Sequence, residues 1–178
     1  HRRPPTVRNV MTAPADGRIS SIHRVENYEL FNEPAICVRI FLSVLDVHIN
    51  RSPCHGIVQS ITHQPGDHLN ALNPNSAEAN ESVTMLLGHP TREVPVAAVR
   101  QVAGLLARTI VNAARPQMVL QRGQRFGIIK LGSTTEVYIP ESAQPTITVE
   151  QGQYVYAGIT VLVQLGPHLP TAENPSIT

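Results

Sequence analysis

Apolar residues in this chain come in short stretches, most of them ended by a proline, a glycine or a cluster of small polar residues. Short runs bounded by turn formers predict many short strands. Ala35 to Ile49, AICVRIFLSVLDVHI, is rich in β-branched and apolar residues and predicts one long or bent central strand. GIVQSITH, Gly56 to His63, predicts another, closed by the turn signal QPGD. VTMLLG (Val83 to Gly88) and VPVAAVRQVA (Val94 to Ala103) predict a strand pair joined by GHPTRE. Ala103 to Ala114 differs. There Leu106, Ile110 and Ala114 recur at four-residue spacing, which predicts the main helix, stopped by Pro116. Asn70 to Ser82 reads as polar loop with room for a short helix at SAEANE, and the last residues, from Gly166, as a loose tail.

An internal repeat overlies this pattern. ITHQPGDHL, MVLQRGQRF and ITVEQGQYV each run from apolar residues through a polar pair to a glycine, then Asp or Gln, then any residue, then an apolar residue. Gly66, Gly123 and Gly152 are the turn positions, where positive φ is expected. Such hairpins are similar to those of lipoyl- and biotinyl-type barrel-sandwich modules. Those carriers modify a lysine at a hairpin tip, whereas Lys130, the sole lysine, falls in what reads as a strand. A carrier role is disfavoured. The reading is a single domain over 1–178, α+β in class but β-rich, with layered sheets, Gly-turn hairpins and one main helix.

Composition narrows the classes. With 42% apolar and 15% charged residues, the chain is globular rather than disordered. A formal charge of +1 and the absence of a nucleic-acid-binding motif argue against a nucleic-acid partner. Cys37 and Cys54 read as buried thiols rather than a disulfide. No signal peptide or membrane span is legible, although the chain starts at His1 rather than Met and leaves an upstream segment open. His48, His55, His63 and His68 share one region, but no HxH, HExxH or CxxC spacing accompanies them, so no metal site is expected.

Three segments set polar residues beside apolar runs: APADGRI, FLSVLDVHINRSPCHGIV and RFGIIKLGSTTEVYIP. They supply Asp16, His48 and Ser133, which could serve as orienting acid, base and nucleophile. The same residues also read as an Asp-Gly turn, a strand histidine and a Gly-Ser turn. If Asp46 and His48 lie on one strand they share a face, so Asp46 competes with Asp16 as the histidine's partner. Asp16 is the expected partner.

In these motifs the chain resembles the phosphatidylserine decarboxylase family in its short bacterial and archaeal form. PADGRI, FLSVLDVHINRSPCHGIV with PGDHLNA, QVAGLLARTIV and GQRFGIIKLGSTTEVYIP carry the resemblance, in order, from about Pro14 to Leu165. EANES, with Asn80 and Glu81, is a weaker fifth match. The resemblance implies a proenzyme that cuts itself between Gly132 and Ser133, giving a β chain of 1–132 and an α chain of 133–178. It implies a pyruvoyl group derived from Ser133 as the electron sink for decarboxylation, with no metal. Thr134 or backbone N–H groups are candidate oxyanion donors, and His48 is the candidate proton donor to the product carbon. One position departs from the longer bacterial form, which holds a second histidine three residues after the first. Here that position is Arg51, which stays protonated and cannot act as a base. Arg51 is therefore a candidate contact for a substrate carboxylate or phosphate. The implied substrate is a serine phospholipid at a membrane surface, on the cytoplasmic face of the cell membrane. The family is compatible with a homodimer. A decarboxylase of a soluble amino acid and a non-enzymatic barrel-sandwich binding module are the alternatives.

Overall fold

The computed structural model describes residues 2–66, 80–92, 94–104, 110–129 and 132–167. Its backbone follows the strand-forming runs: β1 Val10–Thr12, β2 Gly17–Tyr28, β3 Glu33–Leu42, β4 Ile49–Arg51, β5 Gly56–Gln64, β6 Ser82–Gly88 and β7 Pro95–Val102. The second half adds β8 Ile110–Asn112, β9 Val119–Leu120, β10 Arg125–Ile129, β11 Ser133–Pro140, β12 Thr146–Ile147, β13 Tyr154–Val155 and β14 Val161–Gln164. One 3₁₀ turn, Glu141–Ala143, is the only helix among the described residues.

The main sheet has eight strands in the order β13-β2-β3-β11-β7-β6-β5-β9, and its paired neighbours are antiparallel. Two three-stranded sheets, β1-β14-β12 and β4-β10-β8, accompany it. β11 lies centrally in the main sheet, and all eight of its residues are buried. Thr, Val, Tyr and Ile suit such a pleated surface. Register irregularities in β2/β3, β5/β6 and β6/β7 bend these long strands. One large core, including Met11, Ile19, Ile40, Met85, Val137 and Leu162, fills one side of the sheet. A smaller cluster of Cys37, Ala98 and Tyr138 lies apart from it, with Tyr28 stacked on Tyr138. Cys37 and Cys54 are buried free thiols, and burial pushes the Cys54 thiol up to about 12.

Two expectations change. The helix predicted over Ala103 to Ala114 is not present in its described part. Ile110–Asn112 is a strand whose residues oppose Ile129, Ile128 and Gly127 of β10. Ile110 and Val111 are β-branched, and an available sheet edge outweighs the four-residue spacing. Residues 105–109, with Leu106, lie outside the described residues, as do Lys130, most of the polar loop and the terminal tail from 168. Among the described residues the class is thus β-rich without the main helix. Second, Ala35 to Ile49 is two strands. The Ser43 N–H donates to the Asp46 carboxylate at 2.6 Å, the Asp46 N–H to the Ser43 carbonyl at 3.2 Å and the Leu45 N–H to the Ser43 hydroxyl at 3.3 Å. Side chains that capture local backbone donors close a turn where apolar pattern alone suggests continuity. β10 pairs with β4 and β8, while β11 pairs with β3 and β7, so the chain changes sheets between Ile129 and Ser133.

The repeat does have a structural basis. In QRGQ and EQGQ the last Gln N–H bonds back three residues, and its side-chain oxygen accepts the N–H of that same residue, at 2.9 and 3.1 Å. Gly123 and Gly152 have positive φ. The turn after Gly66 runs into residues outside the described ones.

Candidate active site

Ser133 opens β11 opposite Leu42, the last residue of β3. It is fully buried, and its hydroxyl oxygen has no hydrogen-bond partner. A buried polar atom without a partner is costly and rare, and such atoms concentrate where chemistry is done. Gly132 before it has φ +67°, and a Cβ built there would meet nothing within 4 Å. The left-handed backbone, rather than crowding, is what favours glycine at this position.

Leu42 leads into the turn Ser43 to His48, and the His48 carbonyl accepts the Ile129 N–H at 3.0 Å. This bond ties the turn to the end of β10, three residues before Gly132. The His48 Nε2 is also buried without a partner. Asp46 in the same turn is held from two sides, by the Ser43 N–H at 2.6 Å and by the Tyr154 hydroxyl at 2.5 Å. Burial alone would raise its carboxyl. The bonds from Tyr154 and Ser43, with the charge of His48, outweigh burial and hold it below the ordinary value. In return, Asp46 raises the Tyr154 phenol.

Asp16 is placed differently. Arg2 grips both of its oxygens, one at 2.6 Å, and the Ala157 N–H donates to it at 2.7 Å. Its charge acts on Arg51 and on Tyr154. Asp16 thus acts on position 51, while Asp46, two residues from His48 in the same turn, feels the charge of that histidine. Thr134 is buried and follows Ser133 on the strand, so its side chain takes the opposite face of β11 from the serine hydroxyl. That geometry leaves backbone N–H groups as the nearer source of oxyanion donors.

A chain of buried amides lies on the serine's face of β11. Asn50 donates to the Thr135 hydroxyl at 3.0 Å, Gln101 to Asn50 at 2.9 Å and Asn112 to Gln101 at 3.1 Å. Thr135 and Gln101 are direct cross-strand partners, and both are fully buried, as is Asn50. These residues link β4, β7, β8 and β11 around the Ser133 end of the strand. Sequence reading missed Gln101 and Tyr154. The available signal was an amide inside the apolar run VPVAAVRQVA, a conflict between residue and environment of the kind that marks sites.

The family model for phosphatidylserine decarboxylase matches residues 1–163. Proteins named phosphatidylserine decarboxylase proenzyme are similar along most of the chain. The one from Rhodococcus jostii is 41% identical over 168 residues, 93% of this chain and 69% of its own length. The one from Gluconacetobacter diazotrophicus is 39% identical over 167 residues, 92% of this chain and 72% of its own. The one from Carboxydothermus hydrogenoformans is 36% identical over 158 residues, 89% and 72%.

Proposed function

Because this chain belongs to the phosphatidylserine decarboxylase family, we propose that it removes carbon dioxide from phosphatidylserine to leave phosphatidylethanolamine, after cutting its own chain between Gly132 and Ser133. The observation that carries the reading is the pair of buried, partnerless atoms, Ser133 Oγ and His48 Nε2, at the point where the chain changes sheets.

His48 Nε2 takes the proton from Ser133 Oγ, which attacks the Gly132 carbonyl carbon. The Gly132–Ser133 amide becomes an ester and frees the serine nitrogen. Loss of the Ser133 α-proton then expels the Gly132 carboxylate, and hydrolysis of the dehydrated residue releases ammonia. Asp46, fixed in the same turn by Ser43 and Tyr154, serves as the carboxylate that orients His48. An orphaned hydroxyl after a left-handed glycine fits the precursor of a pyruvoyl group. When formed, that group supplies an electrophilic carbonyl as electron sink. His48 is placed to return a proton to the product carbon.

A bilayer substrate requires contact with a surface. Among the described residues no helix is long and apolar enough to cross a membrane. The turn that carries Asp46 and His48 instead exposes Val44, Val47 and, at 93%, Leu45. Ile128 and Val111, direct neighbours across β10 and β8, are also exposed. We assign the Val44–Val47 turn to the lipid interface at the cytoplasmic face of the membrane, with the serine head group delivered to the adjoining Ser133. This exposed apolar turn favours a lipid over a soluble amino acid.

The test is denaturing electrophoresis with mass analysis of the full chain. Fragments 1–132 and 133–178 are expected, the second with a carbonyl-blocked N-terminus. Ser133→Ala is expected to stay whole and inactive. A whole Ser133→Ala chain that still decarboxylates the lipid would overturn the mechanism.

A further inference from the structure

Arg2, Arg51, Arg122 and Arg125, with Gln121 and Gln124, line a cleft of about 600 Å³. Two local features assemble it. The β4–β10 pairing sets Arg125 opposite Arg51, and the tight Gln121–Gln124 turn brings in Arg122. Few of these charges are met. Arg2 is paired with Asp16, the one carboxylate in these contacts. Arg51, only 9% exposed, donates to the Gly123 carbonyl at 2.7 Å. Arg122 donates to the carbonyls of Pro5 and Val10, at 2.5 and 3.2 Å, and its Nε is buried without a partner. Arg125 is exposed, and its side chain makes no hydrogen bond or ion pair among the described residues.

Buried cations are ordinarily paired, because carbonyl dipoles do not replace a counter-charge. Burial first, then the charges of Arg125 and Arg2, press Arg51 below the usual arginine range, and Asp16 opposes them only in part. Burial does the same to Arg122. An oxyanion in the cleft relieves both. Guanidinium forks match the geometry of phosphate oxygens, which accept two parallel N–H bonds.

We propose that this cleft binds a phosphate-type oxyanion, with Arg51 and Arg125 as its main contacts. That the occupant is the phosphodiester of the lipid substrate rests on the decarboxylase reading; the site itself does not. The cleft is tied to the PADG segment, where Arg2 bonds the Asp16 carboxylate and the Arg51 backbone N–H donates to the Pro14 carbonyl at 2.8 Å.

The experiment titrates the full-length protein with sodium phosphate by calorimetry, against sodium chloride at equal ionic strength. Wild type is compared with Arg125→Gln, an exposed change that spares the fold, and with Arg51→Gln. Phosphate is expected to bind wild type over chloride and to bind Arg125→Gln at least tenfold more weakly. No binding over chloride, or equal binding by Arg125→Gln, overturns the site. A second arm assays phosphatidylserine in detergent micelles. Competitive inhibition by phosphate, with a roughly tenfold rise in KM and less than a twofold change in kcat for Arg125→Gln, assigns the cleft to the lipid phosphodiester. Phosphate binding without competition overturns that assignment and leaves a free-phosphate site. The calorimetric arm needs no turnover, so a protein that binds phosphate but lacks activity overturns the decarboxylase reading alone.

Discussion

Asp46 and Asp16 are both partly or wholly withdrawn from water, yet their neighbours give them different work. Asp16 neutralises Arg2, while Asp46 is tuned by Tyr154, Ser43 and His48. A general base of this kind contributes about 10²- to 10⁴-fold, so His48→Ala is expected to slow appearance of the 133–178 fragment on that scale. Asp46→Asn is expected to slow it as well, read from timed gels; an unchanged rate would remove Asp46 from the pair. A pH effect follows from the same carboxylate. Its folded value lies below the ordinary 3.8. Its contribution to stability is therefore complete above 3.8 and is lost as pH falls through the lower folded value. The difference in unfolding midpoint between wild type and Asp46→Asn is expected to be constant above that pH and to shrink below it. At this scale the sequence displayed Ser133, His48 and both aspartates as residues. What holds Asp46 in place was not legible, because it includes a tyrosine more than a hundred positions away.

The Ser43 to His48 turn is an element no periodicity announced. Its apolar residues match those of the strand before it, and only side-chain capture of backbone donors by Ser43 and Asp46 ends β3 at Leu42. The turn leaves Leu45 almost wholly in water beside Val44 and Val47. Moving one leucine from water into an apolar phase is worth about 1.5–3 kcal/mol. Leu45→Ser with Val47→Ser is therefore expected to weaken co-sedimentation with phosphatidylserine-containing vesicles by on the order of tenfold or more, with little change in thermal unfolding. Undiminished vesicle binding by this double variant would place the lipid contact elsewhere. The lost helix has the same kind of cause. Ile110 and Val111 satisfy a helical spacing and a strand equally, and the free edge of β10 decides between them.

For the molecule as a whole, the proposed cut between Gly132 and Ser133 falls at the entry to its central strand. After cleavage β11 still opposes β3 from Ser133↔Leu42 to Pro140↔Ala35, and β7 from Thr134↔Val102 to Tyr138↔Ala98. The same fragment also supplies β12, β13 and β14. The two pieces are expected to elute as one species in native size-exclusion chromatography and to part only in denaturant; release of the small fragment under native conditions would contradict this architecture. Short β-rich runs, the Gly-turn repeat and the PADG, DVHINRSP and LGST motifs are local properties, so the sequence by itself determined the β-rich class, the family and the residues of the proposed chemistry. Tertiary structure alone decided that the Gly-Ser segment joins two sheets, that Tyr154 holds Asp46, and that Arg51 and Arg125 share one cleft. Those facts rest on pairings between distant strands, where burial and hydrogen-bond satisfaction are settled by partners that no local pattern specifies.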